Sequence, residues 1–265
     1  FIWHALRSDK PLLDLRLFRN RTLSVSVISM VFFMVAFFGA ALLFPQYFIG
    51  VRGQSTLGAG LLLAPQGVGA MLTMPIAGKM TDKIGPGKFV LGGLVLMFLG
   101  MGTYVFIGAD TSYWILCGAL FVQGLGMGMT MMPIMSAALA TLSNSQVPDG
   151  STLMNVVQQT ASSIGSAVIA VILATNLKTH PESQLAIASN AAPDEYKAMA
   201  TAQGLPVPPP NQWFEWASSA FGQTFIVSTV LIALTVIPAF FLPRTKMQSP
   251  LVEEDVTKVT PTMMH

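Results

Sequence analysis

Charged side chains are scarce in this chain of 265 residues, where Asp, Glu, Lys and Arg together make up only 10%. Soluble domains usually carry about 25% charged residues. Hydrophobic residues make up 52% of the chain, and its mean hydropathy is +0.62. These values exclude an ordinary soluble globular domain, and we expect the lipid bilayer, not nucleic acid, as the partner.

Cysteine and histidine are scarce as well. The single cysteine, Cys117, lies inside an apolar run, and the three histidines all lie outside such runs. One cysteine excludes a disulfide framework within the chain, and no Cys/His spacing is typical of a metal site. We therefore expect no catalytic residue, no metal and no cofactor.

Long apolar runs dominate what is present. Each is close to or above the roughly 20 residues that a helix needs to cross about 30 Å of hydrocarbon. None contains Asp, Glu, Lys, Arg or His, and none alternates as the strands of a membrane barrel do. Because backbone groups in lipid must be paired within the protein, the runs predict an all-α transmembrane six-helix bundle. The predicted spans are 23–49, 57–77, 89–107, 113–139, 151–174 and 219–242.

Lysine and arginine predict the orientation. If six spans alternate in direction, eleven of the fourteen Lys and Arg residues lie on one side and three on the other. The positive-inside rule then places both ends of a multi-pass chain in the cytoplasm.

Three segments lie outside the predicted six-helix domain of residues 22–242 or interrupt it. Residues 1–21 are predicted to be a cytoplasmic linker that follows a preceding span, and residues 243–265 a flexible cytoplasmic tail. Residues 175–218 form a predicted outer loop, in which 182–203 is a candidate surface helix. Trp213 and Trp216 precede the last span and are predicted to be membrane-interface anchors.

The segment Gly78–Lys88 joins the second and third predicted spans on the cytoplasmic side. Gly78 is expected to let the second helix end close to a neighbour. Ile84–Gly87 is a strong turn signal. Asp82, among three lysines, is expected to accept hydrogen bonds from helix-terminal N–H groups. An ordinary basic loop that obeys the positive-inside rule explains the same residues.

This segment follows the pattern G-x-x-x-D-x-x-G-x-x-K, which resembles the cytoplasmic loop motif of the major facilitator superfamily. In that family the motif joins the second and third helices of each six-helix half, as it does here. The resemblance implies that the motif controls the cytoplasmic gate. The implied gating residues are Gly78, Asp82, Gly85 and Lys88.

The resemblance covers nearly the whole chain. The linker 9–20, the stretch 58–67 and the stretch 154–165 resemble parts of fourteen-span drug/proton antiporters. This implies that the chain is the carboxy-terminal half, with spans nine to fourteen, in a bacterial cytoplasmic or inner membrane. Phe1–His4 would close span eight, so we expect the start to be a break in a longer protein.

The fifth span carries a polar stripe at helical spacing, which places its members on one helix face. Amides in hydrocarbon are costly unless paired, so the stripe predicts either a wall of a transport cavity or interhelical hydrogen bonding. The resemblance favours the cavity, because the fifth helix of this half borders the pathway there. The stripe consists of Asn155, Gln158, Gln159, Ser162, Ser163 and Ser166.

Three lone amides lie in spans one, two and four, at Gln46, Gln66 and Gln123. The resemblance implies that these spans surround the pathway and that spans three and six are peripheral. Each amide is a candidate for either the pathway or helix packing. In span four, Gly124, Gly126 and Gly128 predict close helix packing or a bendable segment.

The expected function is efflux of small amphipathic or drug-like compounds, coupled to proton entry by alternating access. Proton coupling is implied by the resemblance alone, because no predicted span contains a titratable acid or histidine. The implied partner is an amino-terminal half of six to eight helices, which would carry those acids.

Four other functions remain open from the sequence. They are a non-transporting membrane subunit, transport of another small metabolite in either direction, a channel, and a membrane-embedded enzyme. The absence of intramembrane His and acids argues against the enzyme.

Overall fold

The computed structural model describes residues 20–140, 142 and 146–242, apart from the side chains of residues 82–84. It is helical, with no strand among the described residues. The helices are α1 (Arg21–Gln46), α2 (Thr56–Ile84), α3 (Pro86–Val105), α4 (Tyr113–Leu139), α5 (Val147–Leu177), α6 (Pro181–Ala191), α7 (Pro193–Gln203) and α8 (Asn211–Ala239). A π-helical segment, Tyr47–Val51, continues α1.

Within the described part of the chain, six helices are long and apolar enough to cross a membrane: α1 with its π segment, α2, α3, α4, α5 and α8. Together they form the predicted all-α six-helix fold. The predicted linker 1–21, apart from its last two residues, and the predicted tail 243–265 lie outside the described residues.

Local capping explains where several helices begin and end. The Asn20 side chain accepts hydrogen bonds from the amides of Thr22 and Leu23 at 3.0 and 3.3 Å, which caps α1. The Ser55 hydroxyl does the same for Gly58 in α2, at 3.1 Å. At the other end of α2, Gly85 has φ +94°, a conformation that favours glycine, and α3 begins directly after it with Pro86.

The last helix is longer than the span predicted from residue 219, since α8 begins eight residues earlier, at Asn211. Its first two turns include Asn211, Gln212 and Glu215, so no apolar run marks them in the sequence. Trp213 and Trp216 therefore lie inside the helix. The ring of Trp216 stacks on His180, with centroids 4.5 Å apart, and so packs against the chain just before α6.

The predicted outer loop 175–218 holds two helices in place of the single one suggested for 182–203. Both α6 and α7 begin with a proline, which is favourable in the first helical turn. Asn190 of α6 donates to the carbonyl oxygens of Gly50 and Val51, at 2.9 and 3.3 Å. This contact holds α6 over the π segment, whose carbonyl groups need partners.

The helices pack as an arc, whose two end members, α2 and α5, are the least buried. Helix α2 packs mainly against α4, and α5 mainly against α1, while α1 and α4 touch each other. Helices α3 and α8 contact each other and pack against α4 and α1. The arc therefore runs α2, α4, α1, α5, with α3 and α8 behind it. We call the end with the Gly85 turn the turn end, and the end with α6 and α7 the cap end.

Glycines of α4 serve two separate interfaces. A Cβ atom on Gly124 would collide with the Gln66 carbonyl oxygen of α2, and one on Gly126 would come within 2.6 Å of Met97 Cγ in α3. The Thr73 hydroxyl adds a hydrogen bond across the first interface, to the Leu125 carbonyl at 3.0 Å. Close packing, one of the two uses expected for these glycines, is what the structure contains.

Aromatic side chains join α1, α3 and α8 near the cap end. The rings of Phe44, Tyr104 and Phe225 form a triangle with centroid separations of 4.9, 5.2 and 5.1 Å. All three side chains are fully buried, and such pairs add about 0.5–1.5 kcal/mol each beyond burial. One face of α3 and one of α8 are therefore core, while Phe98 and Val230 on their other faces are exposed.

Candidate functional site

Helices α2 and α5 are the membrane-length helices least covered by this chain. Only 17% of the most apolar stretch of α2 and 22% of that of α5 is buried, against 61% for α1. On α5, the uncovered side carries Asn155, Gln159 and Ser163 at intervals of four residues, all exposed. The apolar side chains of Val156 and Ile164 flank them and are exposed as well. We call this side of α5 the amide face.

Gln158, Ser162 and Ser166 lie at the half-buried edge of the amide face. The hydroxyls of Ser162 and Ser163 both donate to the Gln159 carbonyl oxygen, at 3.0 and 2.9 Å. Ser166 reaches the Phe38 carbonyl of α1 at 3.4 Å, which is a long contact. The serines thus have partners within the chain.

The amides of the stripe behave differently from its serines. Among the described residues, no side-chain hydrogen bond is formed by Asn155, Gln158 or Gln159. An amide left without a partner in hydrocarbon costs about 1–3 kcal/mol or more. Bonding between helices of this chain therefore does not explain these three amides, and they are free to bind something outside it.

The three lone amides lie in different environments. Gln46 is exposed at the end of α1. Gln66 faces α4, and its Nε2 atom is buried without a partner among the described residues. Gln123 is fully buried against α3, where Nε2 donates to the Met101 sulfur at 3.9 Å and Oε1 has no described partner. The structure thus places Gln123 in packing, away from the amide face.

The loop motif at the turn end is partly described. Helix α2 continues past Gly78 to Ile84, so Gly78 does not end the helix as expected, and a Cβ atom there would touch nothing within 4 Å. Gly85 forms the turn, and Lys88 is exposed in the first turn of α3. The side chain of Asp82 lies outside the described residues, so its expected hydrogen bonds stay a prediction.

A polar network at the cap end was not anticipated. The Arg52 guanidinium lies 4.4 Å from the centre of the Tyr113 ring, and its Nε donates to the Tyr113 hydroxyl at 3.3 Å. Its Nη1 donates to the Ala109 carbonyl, and Gln54 Nε2 donates to the same hydroxyl at 2.7 Å. Burial lowers the pKa of Arg52, but the hydrogen bond and nearby tyrosines outweigh it and raise the pKa overall.

No local pattern could have found this network. Arg52 and Tyr113 are separated by 61 positions, and in the sequence Arg52 was only one loop charge among the lysines and arginines.

The comparison with known families decides the membership of this chain. The Major Facilitator Superfamily matches residues 2–166, which is more than half of the chain. The chain belongs to the Major Facilitator Superfamily. Its helices are thus those of a transporter family and not of an enzyme family, and it is a multi-pass membrane protein.

Relatives within the superfamily are similar over most of this chain. The Multidrug resistance protein B homolog of Mycobacterium tuberculosis strain H37Rv is 39% identical over 256 residues, which cover 92% of this chain and 47% of that protein. The Multidrug resistance protein Stp of the same strain is 31% identical over 73% of this chain and 35% of its own length.

The Lincomycin resistance protein LmrB of Listeria innocua is 29% identical over 246 residues, 93% of this chain and 48% of its own. The chain thus spans about half the length of the relatives that match more than nine-tenths of it.

Proposed function

We propose that this chain forms one six-helix half of an exporter of small amphipathic or drug-like compounds, working by alternating access. The observation that carries the proposal is the amide face of α5, with Asn155, Gln158 and Gln159 unpaired beside exposed valine and isoleucine. Such a surface suits a ligand that is largely apolar and has a few hydrogen-bonding groups. The names of the relatives, which refer to multidrug and lincomycin resistance, support this direction.

The charge distribution supports lipophilic substrates. In α2, α5 and α8 the acidic and basic residues lie within a few turns of a helix end, as Asp149 and Glu215 do. A midplane site for an anion would usually need Arg or Lys.

Coupling to protons needs a titratable group inside the membrane. We propose that a partner half supplies it.

The partner that we propose is an amino-terminal half of six to eight helices, packed over the uncovered sides of α2 and α5. An immunoblot of native membranes with an antibody against residues 247–265 tests it. A band near twice the 28.3 kDa of this chain supports a partner half in the same polypeptide. A band near 28.3 kDa, together with no co-purifying membrane protein, would contradict it.

For orientation we propose a bacterial cytoplasmic membrane, with the turn end in the cytoplasm and the cap end outside. The support is the count from the sequence, in which six alternating spans divide Lys and Arg eleven against three, with Lys79 and Lys88 of the turn end on the side of the eleven. Cysteine labelling with a membrane-impermeant reagent at Lys197→Cys and Lys88→Cys tests it in intact cells. Labelling of the first alone supports this orientation, and labelling of the second alone contradicts it.

The double substitution Asn155→Leu/Gln159→Leu tests the amide face in the full transporter. We expect export of a hydrogen-bonding drug to fall about tenfold or more, because each lost hydrogen bond is worth about 1 kcal/mol. Membrane abundance is expected to stay unchanged. The substitution Gln158→Ala is expected to change the substrate profile more than the abundance. Drug accumulation in cells and quantitative immunoblots provide the two measurements.

Thr160→Val is the matched control on the same helix. Thr160 is exposed, but its hydroxyl already donates to the Val156 carbonyl at 2.8 Å, so its loss should leave export unchanged. If abundance collapses in the amide variants while the substrate profile of the remaining protein is unchanged, the amides hold the two halves together and do not line the pathway.

The loop motif is proposed to shape the gate at the turn end, through Gly78, Asp82, Gly85 and Lys88. Asp82→Asn in the full transporter is expected to slow export about tenfold, the size of effect that loss of one charge-assisted hydrogen bond produces. Membrane insertion should be intact. Asp149→Asn, in the first turn of α5 at the same end, makes the same charge change outside the motif and should leave the rate unchanged. A normal rate in Asp82→Asn would refute the gating role.

A further inference from the structure

Two cavities adjoin at the cap end and share Ala109, Asp110 and Glu215 in their walls. The first, of about 290 Å³, is polar and is also lined by Arg52, Tyr113 and Asn211. The second, of about 570 Å³, lies between the end of α3 and the start of α8. Together they form a crevice that is polar at one side and largely apolar at the other.

Arg52 is held in place at the polar side. It donates to the Tyr113 hydroxyl and to the Ala109 carbonyl, and its guanidinium carbon lies 4.4 Å from the centre of the Tyr113 ring. A guanidinium has five N–H donors in a fixed fork, so these contacts leave donors for a ligand. An arginine held in this way loses little further freedom when it binds a phosphate.

Asp110 and Glu215 form the shared wall. Among the described residues, neither carboxylate has a cationic partner within ion-pair distance, although Arg52 lines the same polar cavity. Two unpaired carboxylates beside one oriented guanidinium complement a ligand that carries both an ammonium group and a phosphate.

The second cavity faces the side of the bundle formed by α3 and α8, behind the arc of the other four helices. Its wall includes Phe106, which is 88% exposed, and Ile226. Trp114, which is 87% exposed, lies in the first turn of α4 at the same end, a position typical of tryptophan at the membrane interface. The crevice therefore lies where headgroups meet acyl chains.

We propose that this crevice binds one phospholipid with a primary-amine headgroup, of the ethanolamine class. The ammonium group lies between Asp110 and Glu215, and the phosphate binds Arg52. Because the phosphate joins the ammonium group to the glycerol, the glycerol turns back past the two carboxylates, and one acyl chain follows Phe106 and Ile226. The site is separate from the amide face of α5 and does not rest on the proposed transport activity.

The chemistry of the site discriminates among headgroups. A choline headgroup has no N–H to donate to Asp110 and Glu215, so it loses the charge-assisted hydrogen bonds. A glycerol headgroup has no cation, and the two carboxylates repel its negative phosphate. We therefore expect ethanolamine phospholipid to bind about tenfold more tightly than either.

Native mass spectrometry of the full-length protein, released from detergent and titrated with each of the three lipids, tests the proposal. One ethanolamine lipid should bind with the expected preference, and Asp110→Asn/Glu215→Gln should weaken it about tenfold. Choline lipid, whose cation keeps only the charge attraction to these carboxylates, should lose less affinity than ethanolamine lipid. The double variant Asp194→Asn/Glu195→Gln makes the same charge change on α7, away from the crevice, and should behave as the unsubstituted protein.

A second variant keeps the test valid if the first fails to fold. Ser219 lines the apolar cavity and is exposed, so Ser219→Trp should fill the cavity and remove the tightly bound lipid without disturbing the core. Equal affinities for the three lipids, or an unchanged affinity in either crevice variant, would overturn the proposal. So would displacement of the lipid by equimolar phosphoethanolamine, because the ligand would then be a soluble aminophosphate.

Discussion

Replacing Gly124 with leucine is expected to remove most of the folded protein from the membrane. The Cα of Gly124 packs against the backbone of α2, so a side chain there would collide with the Gln66 carbonyl oxygen. Backbone cannot rotate aside as a side chain does, and α2 would have to separate from α4. We expect a loss of about 3 kcal/mol or more in the free energy of unfolding. Fluorescence-detected size-exclusion chromatography after heating measures it.

Gly118→Leu is the control for this prediction, because it lies on the same helix. Gly118 is exposed, and a Cβ atom there meets nothing within 4 Å. The substitution raises helix propensity and should leave the melting temperature unchanged or slightly higher. If Gly124→Leu and Gly118→Leu melt alike, the close approach of α2 and α4 is incorrect.

Replacing Gly85 with valine is expected to destabilise the turn between α2 and α3 by about 1–3 kcal/mol. The φ angle of Gly85 is +94°, which a β-branched residue adopts only under strain. The amide of Gly85 also closes α2 by donating to the Thr81 carbonyl at 2.9 Å, so a shift to negative φ would disturb the helix end. The melting temperature of the purified protein measures the effect.

Gly78→Ala provides the comparison within the same motif. Gly78 is helical and has open space around it, so alanine should be neutral or stabilise the helix by up to about 1 kcal/mol. Of the two glycines of this motif, only Gly85 is thus expected to destabilise the protein when it is replaced. Equal destabilisation by both substitutions would mean that the turn geometry at Gly85 is not what limits the substitution.

The polar stripe of α5 shows what helical spacing in a sequence predicts and what it does not. The spacing of Asn155, Gln158 and Gln159 along a helix predicts that they share a side, and they do. Whether that side meets another helix of the chain or stays uncovered depends on which neighbours pack there. The structure leaves it uncovered, so the choice between interhelical bonding within this chain and an outward-facing surface could not come from spacing.

The lone amides show that a sequence pattern does not predict which side chains are buried between helices. Gln66 and Gln123 look alike in sequence, since each is a single glutamine in an apolar run. Gln123 proves to lie on the side of α4 that packs on α3, next to Met101. Side chains within one helical turn point to different sides of the helix. The positions of α2 and α3 around α4 decide which of these sides is buried.

By itself, the sequence determined the number of membrane-length helices, their class and their approximate limits. The length and apolarity of a segment are local properties. In lipid, an apolar segment of this length pairs its backbone groups by forming an α-helix. Tertiary structure decided which sides are covered, and that Gly124 lies where the backbones of α2 and α4 approach each other. It also decided that Arg52 contacts Tyr113, which is 61 positions away in the sequence. These contacts depend on how the helices are arranged in space, which no local pattern specifies.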